Sequence, residues 1–143
     1  MQIISSIPAE LYNRVRELVW AIVKASEADD EILNLSLCQT LREFYDEQVG
    51  LGRSHPFLTE AMADFTNDPI EAVRLYHLSI VEASEFPDEL TYTKKISLAR
   101  ALVELGRPSE AEAYLRDGRT EAVRFGDTFW ISDADELLRR MVT

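Results

Sequence analysis

Apolar residues recur at intervals of three and four along most of this chain, the period of a helix that buries one side. The first such segment begins at Ser6 or Pro8, and its apolar side consists of Leu11, Val15, Leu18, Val19, Ile22 and Val23. An acidic stretch from Glu27 to Glu31 follows, and it supplies a capping residue and negative charge for a new helix. We expect that second helix to bury Ile32, Leu35, Cys38, Leu41, Phe44 and Tyr45.

Five further helices are predicted after the second. The breaks between helices fall where Gly, Pro and Asp cluster: Gly50 to Pro56, Asn67 to Pro69, Pro87 to Asp88, Gly106 to Pro108, and Gly126 to Asp127. Asp88 is expected to cap the fifth helix. In the sixth segment, Asp117 and Gly118 form a turn signal that would split the helix. The apolar stripe nevertheless continues in phase from Ala111 to Phe125, which favours one helix that contains Gly118.

No segment alternates Val, Ile or Thr in the manner of a strand, so the predicted fold class is all-α. The 143 residues fit a single helical domain, 1–143, stacked as a short solenoid of about seven helices. We divide it into an N-terminal helical hairpin (1–52), a degenerate repeat-like hairpin (56–86), a better-formed hairpin (88–126) and a capping helix (127–143).

An internal repeat supports the division into hairpins. Pro69-Ile70-Glu71-Ala72 and Pro108-Ser109-Glu110-Ala111 share the pattern Pro-x-Glu-Ala, each just after a short turn. In the second copy, small residues at Ala99, Ala111 and Gly118 would let two antiparallel helices approach closely.

The segment LARALVELGRPSEAEAYLRDG resembles the tetratricopeptide repeat in the spacing of its small and large apolar residues: Leu98, Ala99, Leu102, Gly106, Ala111, Leu115 and Gly118. The resemblance is clearest over residues 88–125. The first hairpin departs from the pattern, since Thr59 and Glu60 stand where a large and a small apolar residue are expected. The distance between copies also exceeds the usual repeat length of about 34 residues.

Composition limits the kinds of binding site and the location that we expect for this chain. Cys38 is the lone cysteine, so no intramolecular disulfide is available, and only His55 and His77 could join it as zinc-type ligands. The N-terminus lacks a basic leader, and the longest apolar run, Leu18 to Val23, is too short for a bilayer. We therefore expect a cytoplasmic protein that does not insert into membranes.

The formal net charge of −11 indicates a basic partner or serves solubility alone. An acidic surface repels nucleic acid, so nucleic-acid binding is not expected. Most of the excess lies in the part of the chain up to Glu71, which carries 13 acids and 5 bases.

A search for catalytic or metal-binding groups yields no convincing set, so no enzyme activity, cofactor or metal is expected. Two acidic clusters, Glu43 with Asp46 and Glu47, and Asp133 with Asp135 and Glu136, are interpreted as solvated faces. Cys38 and both histidines are interpreted as structural or surface residues. Four large aromatic residues are interpreted as core: Trp20, Tyr76, Tyr114 and Phe129. Trp130, near the terminal cap, is interpreted as an aromatic that could anchor an interface.

The resemblance to tetratricopeptide repeats implies a concave surface that holds peptides or protein elements. The positions that match its inner face in the better hairpin are Thr93, Ile96, Arg100, Val103 and Glu104. Apolar stripes on several helices also leave room for a homodimer interface.

In general character, a short, acidic, helical protein without catalytic residues is similar to bacterial immunity proteins, which neutralise toxins that are often basic nucleases. That similarity implies toxin contacts at an acidic face: Glu27, Asp29, Asp30, Glu31, Glu43, Asp46, Glu47, Glu60 and Asp64. The alternatives are a secretion chaperone or regulatory adaptor that binds an extended peptide in the groove, and a helical enzyme with an unrecognised site.

Overall fold

The computed structural model describes residues 7–142, and seven α-helices make up all the regular structure of that range. They are α1 (Ala9–Glu27), α2 (Glu31–Gly50), α3 (Pro56–Asp64), α4 (Pro69–Ala83), α5 (Tyr92–Glu104), α6 (Pro108–Phe125) and α7 (Thr128–Met141). The predicted all-α class is therefore confirmed. Ser6, one of the two predicted starts of the first helix, lies outside the described residues, and Pro8 occupies the N-cap of α1.

Consecutive helices pack side by side as hairpins. The contact between α5 and α6 is the most extensive, and α4 packs on both α3 and α5. The odd-numbered helices also meet one another, because α1 contacts α3 and α5 contacts α7. The helices thus stack as a short solenoid with the odd-numbered helices along one side.

One continuous apolar core runs through the stack. It draws at least one fully buried aliphatic side chain from every helix, for example Val15, Leu41, Leu58, Leu75, Ile96, Leu115 and Leu137. Burial of each such side chain stabilises the fold by about 1.5–3 kcal/mol relative to exposure.

Most helix starts follow the predicted chemistry. Asp30, Asp68 and Asp127 each accept a hydrogen bond from a backbone N–H in the first turn of the helix that follows. Pro69 and Pro108 occupy the first position of α4 and α6, where a missing N–H costs nothing. The repeated Pro-x-Glu-Ala motif is thus the opening turn of the second helix in two hairpins.

The predicted cap at Asp88 is wrong. The helix α5 begins at Tyr92, its N-cap is Thr91, and no side chain caps it. Phe86 is buried, and its carbonyl accepts a hydrogen bond from the N–H of Glu89 at 2.9 Å. Burial of Phe86 therefore holds the chain in a turn through residue 89 and delays the helix.

Gly118 lies inside α6, as the apolar stripe predicted. A Cβ atom at this position would stand 2.9 Å from Cγ1 of Ile96 and 3.3 Å from the carbonyl oxygen of Tyr92. The absence of a side chain lets α5 and α6 approach each other closely.

Several residues predicted to be buried are exposed. Ile32 and Leu35 at the start of α2 are 84% and 63% exposed, and Trp20 on α1 is 65% exposed. The helix α2 packs mainly on α1, and its buried residues all lie in its second half: Leu41, Tyr45 and Gln48. Phe129, also predicted as core, lies on the solvent side at the start of α7. No helix in residues 7–142 is long and apolar enough to cross a bilayer.

Candidate functional site

A groove of about 700 Å³ follows the odd-numbered helices. Residues of α1, α3, α5 and α7 and of the segment before α5 line it: Arg16, Val19, Trp20, Val23, Phe57, Glu60, Ala61, Asp64, Asp88, Glu89, Leu90, Thr93 and Trp130. A recess of about 440 Å³ shares Asp64 with the groove and extends toward Arg100 and Glu104. We call these two spaces the groove and the recess.

Aromatic side chains form much of the groove wall. Trp20 projects from α1 with most of its surface open, while Phe57 on α3 and Trp130 on α7 are half-buried. The ring of Phe57 lies 5.2 Å from that of Tyr12, which fixes its position against α1. The groove therefore presents a large, unfilled apolar surface between helices.

The charged groups of the groove are mostly carboxylates. Glu60, Asp64, Asp88 and Glu89 line it, against the single base Arg16. A concave surface lined by one sign of charge raises the local concentration of ligands of opposite sign. The groove thus has the electrostatics of a site for cationic groups.

A buried lysine organises two of these carboxylates. Lys94 has no exposed surface, and its ammonium group donates to Glu60 at 2.9 Å, to Glu89 at 2.8 Å and to the carbonyl of Leu90 at 2.8 Å. All three donors of the ammonium are therefore satisfied. Lys94 ties α3 and the turn before α5 to α5 itself and holds both carboxylates at the groove wall.

Asp64 lies where the groove and the recess meet, and it accepts a hydrogen bond from the hydroxyl of Tyr76. The residue is exposed overall, but its carboxyl group, bonded to Tyr76 among the residues that line the recess, is partly removed from water. This loss of hydration raises the pKa of Asp64 to about 7, against the smaller opposing effect of the Tyr76 hydrogen bond. Burial and the neighbouring carboxylate likewise raise the pKa of Tyr76.

The five residues expected on the concave face separate into two groups. Thr93 lines the groove, and Arg100 and Glu104 line the recess, where Arg100 forms an ion pair with Asp133 of α7. Ile96 is fully buried against α6, and Val103 packs on the core, so neither side chain lines the groove or the recess. Ile96 has no exposed surface, so it cannot contact a partner on this side, whereas Val103 is half-buried and its role stays a prediction.

The nine acids expected to form one face lie in three separate places. Glu60 and Asp64 line the groove, whereas the turn between α1 and α2 carries the run Glu27, Asp29, Asp30 and Glu31. Glu43, Asp46 and Glu47 are exposed on the side of α2 opposite its buried residues. We call this last set the α2 acids.

The sequence analysis did not predict two main features of the groove: the exposure of Trp20 and the ion pairs of Lys94. Trp20 lies two residues from both Leu18 and Ile22, on the side of α1 opposite its buried residues, so the helical period indicated its exposure. Lys94 stands in helical phase with Leu98 and Ala101, and a lysine on an apolar side of a helix indicates a buried ion pair.

The other histidine, cysteine and acidic residues singled out in the sequence cap a helix, pack against a neighbouring side chain or form an ion pair. His55 is the buried N-cap of α3, whereas His77 is exposed on α4 with its ring against Tyr114. Cys38 is half-buried, and burial raises the pKa of its thiol. Asp135 pairs with Arg119 of α6. Within residues 7–142, no three His, Cys, Asp or Glu side chains are grouped so that they could hold a metal ion.

No family model, no curated protein and no solved structure matches this chain. The functional argument therefore depends on the groove and its residues.

Proposed function

We propose that this chain is a non-enzymatic protein-binding module whose partner is basic. The observation that carries the proposal is the exposure of Trp20 in a groove whose lining includes four acidic residues and the base Arg16. Two of the acids are paired with Lys94, and Lys24 lies over the Trp20 ring at 5.7 Å, so Asp88 and Asp64 are the acids open to a partner's cation. Interfaces are anchored by large aromatic side chains in concave surroundings, and a polar rim around such an anchor gives specificity.

The apolar and acidic parts of the groove favour a segment that combines an apolar anchor with Lys or Arg. The anchor would pack between Trp20, Phe57 and Trp130, and the cation would pair with Asp88 or Asp64. Glu60 and Glu89 are already paired with Lys94, so they contribute less to a partner's charge. The resemblance of α5 and α6 to a tetratricopeptide hairpin supports the use of this side of the stack.

The specific form that we favour is an immunity-type protein that binds and neutralises a basic protein toxin. The α2 acids and the acidic turn between α1 and α2 support it. The α2 acids form no ion pair within the described residues, so their charge is available to a folded basic domain. Charge complementarity of this kind accelerates association and selects the partner.

The alternative is a secretion chaperone or regulatory adaptor that takes an extended peptide. The depth of the groove supports it, because about 700 Å³ accommodates several side chains of a single segment. The two forms use different surfaces of the same chain. A helical enzyme with an unrecognised site is the third hypothesis, and no arrangement of residues in the groove supports it over binding.

The test is capture of partners from the native host by the tagged full chain, at low and moderate salt. The captured partner is then identified and purified, and its affinity for the chain is measured. Trp20→Ala removes the exposed aromatic side chain from the groove. Neutralisation of the α2 acids (Glu43→Gln, Asp46→Asn, Glu47→Gln) removes the negative charge on the exposed side of α2. Phe125→Ala is the control for the tryptophan, because Phe125 is similarly exposed but lies on α6, outside the groove.

A second control removes three charges elsewhere, with Glu110→Gln, Glu112→Gln and Glu136→Gln. An immunity-type partner is a folded basic domain whose toxicity is suppressed by the chain and whose binding is lost with the α2 acids. An extended partner released by Trp20→Ala alone supports the adaptor. A partner that is not basic, or one released equally by the control variants, contradicts the proposal.

A further inference from the structure

The exposed side of α2 carries apolar and acidic residues in one line. Successive residues of an α-helix are about 100° apart around the helix axis, so residues three, four or seven apart lie on the same side. The side of α2 opposite the buried Leu41 therefore runs along the helix, and its residues from 32 to 47 are all exposed: Ile32, Leu35, Ser36, Gln39, Glu43, Asp46 and Glu47. We call this side the outer α2 face.

The outer α2 face begins with an apolar patch. Ile32 and Leu35 are 84% and 63% exposed, and they stand three residues apart, so their side chains are neighbours on the helix surface. The helix packs mainly on α1, and its buried residues lie in its second half, so no helix in residues 7–142 covers the patch. One exposed leucine is ordinary on a protein surface. Two neighbouring aliphatic residues on an acidic face have the composition of an interface, in which an apolar centre adjoins a polar rim.

The α2 acids, at the other end of this face, do not stabilise the helix that carries them. Asp46 and Glu47 lie close to the C-terminal end of α2, where the negative end of the helix dipole disfavours a carboxylate. The last turn of α2 contains no base that would offset them. Arg42, the one base in α2, pairs instead with Glu71 of α4. The negative charge of the outer α2 face is therefore available to a partner and brings no benefit to α2 itself.

The length of the outer α2 face matches that of a protein interface. A helix of 20 residues is about 30 Å long, and Ile32 and Asp46 are about 21 Å apart along its axis. A stable complex covers about 800 Å² on each partner, a patch of comparable width. A helix presents a convex ridge, so a partner that contacts both ends of the face must be concave along it. Such a partner has apolar residues near Ile32 and Leu35 and basic residues near Asp46.

A second copy of this chain does not fit the outer α2 face. Parallel pairing of two such faces would bring the acids of one copy against the acids of the other. Antiparallel pairing would place the acids of each copy on Ile32 and Leu35 of the other, which removes charge from water without a counter-charge. The face itself contains no Lys or Arg that could compensate. Charge complementarity therefore selects a different protein, and a basic one.

We propose that the outer α2 face docks lengthwise into a cleft of a folded basic protein. Ile32 and Leu35 fill the apolar end of that cleft, and the α2 acids pair with Lys or Arg at its other end. This inference rests on the proposed function, which it deepens by identifying the apolar anchor and the shape of the partner's surface. The groove along the odd-numbered helices takes no part in this contact.

The first experiment locates the contact before the partner is known. Gln39 is exposed at the middle of the outer α2 face, so we replace it with the photo-crosslinker p-benzoylphenylalanine in the tagged full chain and irradiate it in an extract of the native host. We expect a basic protein to be cross-linked at this position, and not when the exposed Ala113 of α6 is replaced in the same way. A cross-link to a second copy of the chain, or none to a basic protein, would overturn the inference.

The second experiment measures the affinity of the cross-linked protein, after purification, for variants of the full chain. Ile32→Gln combined with Leu35→Gln removes the apolar patch and keeps charge and helix propensity. We expect it to weaken binding at least about tenfold, chiefly through faster dissociation, as removal of an interface anchor does. Neutralisation of the α2 acids should instead slow association and reduce its dependence on salt. The control, Val123→Gln with Phe125→Gln on α6, also replaces two exposed apolar residues and should leave affinity unchanged.

The outcomes separate this inference from the proposed function. A basic partner released by Trp20→Ala but bound unchanged by the variant of Ile32 and Leu35 would overturn the inference and leave the proposed function intact. Equal loss of affinity in the α6 control would also overturn the inference. If no basic protein binds the chain, both fail. Far-UV circular dichroism checks that the double variant folds, and Leu35→Gln alone decides the question if it does not.

Discussion

Neighbouring groups shift the pKa of the Asp64 carboxyl in opposite directions. Loss of hydration and the nearby carboxylate of Glu60 favour its protonated form, whereas the Tyr76 hydroxyl, Lys94 and Arg100 favour the charged form. Dehydration dominates, so the group titrates near neutral pH. A residue in the groove therefore changes charge near neutral pH.

Asp64 should make folding stability fall as pH rises toward neutrality. The unfolded chain holds this carboxyl near pKa 3.8 and the folded chain near 7, so between these values the folded state binds a proton that the unfolded state lacks. The contribution of Asp64 is therefore favourable at low pH and is lost as pH rises through about 7. We expect urea unfolding from about pH 5 to about pH 7.5 to show this fall.

Asp64→Asn isolates the contribution, because the amide oxygen still accepts from Tyr76 but does not titrate. The difference in unfolding free energy between the native chain and this variant should change in favour of the variant as pH rises. A difference that stays constant across the range would show that the pKa of Asp64 is not raised.

At the scale of helices, the α5–α6 contact depends on the missing side chain at Gly118. Gly118→Ala would place its Cβ 2.9 Å from Ile96 and 3.3 Å from a backbone oxygen, which cannot yield easily. Overpacking of this kind costs about 1–3 kcal/mol and outweighs the gain of about 1 kcal/mol in helix propensity. We expect a net loss of stability in denaturant unfolding.

Gly50→Ala is the matched control, because Gly50 ends α2 and a Cβ there meets nothing within 4 Å. This substitution should leave stability unchanged or raise it by up to about 1 kcal/mol. Equal effects of the two substitutions would mean that close packing at Gly118 does not govern the hairpin.

The Lys94 ion pairs connect three elements through one buried cation. Lys94→Met leaves Glu60 and Glu89 close together without their counter-charge, and breaking a buried pair from one side costs about 3–5 kcal/mol. The melting temperature should fall accordingly. Lys24→Met, which removes an exposed pair with Glu27 and an exposed cation–π contact with Trp20, should change stability by less than about 1 kcal/mol.

Neutralising both carboxylates separates charge from packing. Adding Glu60→Gln and Glu89→Gln to Lys94→Met should recover part of the lost stability, since the unpaired charges are then gone. If the triple variant is no more stable than Lys94→Met alone, the ion pairs are not the source of the loss.

The positions of the helices were largely predictable because local chemistry sets them. Pro at a first helical position and Asp at a cap act through the nearest backbone groups, which is why the starts of α4 and α6 match expectation. Asp88 carried the same local signal as Asp30, but burial of Phe86 overrode it. Tertiary contacts of that kind leave no periodic trace in a sequence.

The candidate site was only partly predictable, for a similar reason. Thr93 and Arg100 came from alignment to a repeat, which places residues along one helix face. The alignment could not distinguish Arg100, in the recess, from Ile96, which faces α6. Lys94 and its partners depend on the meeting of α3 with the turn before α5, and spacing along the chain does not reveal such a meeting.

On the scale of the whole molecule, contacts are unevenly distributed along the stack. The helices α3 to α6 each pack against both neighbours, whereas α2 packs mainly on α1 and buries only residues of its second half. Arg42 of α2 forms an ion pair with Glu71 of α4 that adds one polar link. In a stack of this kind, stability is close to a sum of nearest-neighbour terms, so the end with fewer contacts opens first.

Native-state hydrogen exchange should show this gradient. We expect the slowest amides at the fully buried residues Leu75, Leu98 and Leu102, and the fastest helical amides in the first half of α2, around Ile32 and Leu35. Exchange in the first half of α2 should proceed through local opening and should depend little on denaturant. A partner that covers the acidic turn between α1 and α2 would slow these amides, whereas a peptide confined to the groove would protect α1 and α3 and leave them fast. Uniform exchange across all seven helices would instead show that the stack unfolds only as a single unit.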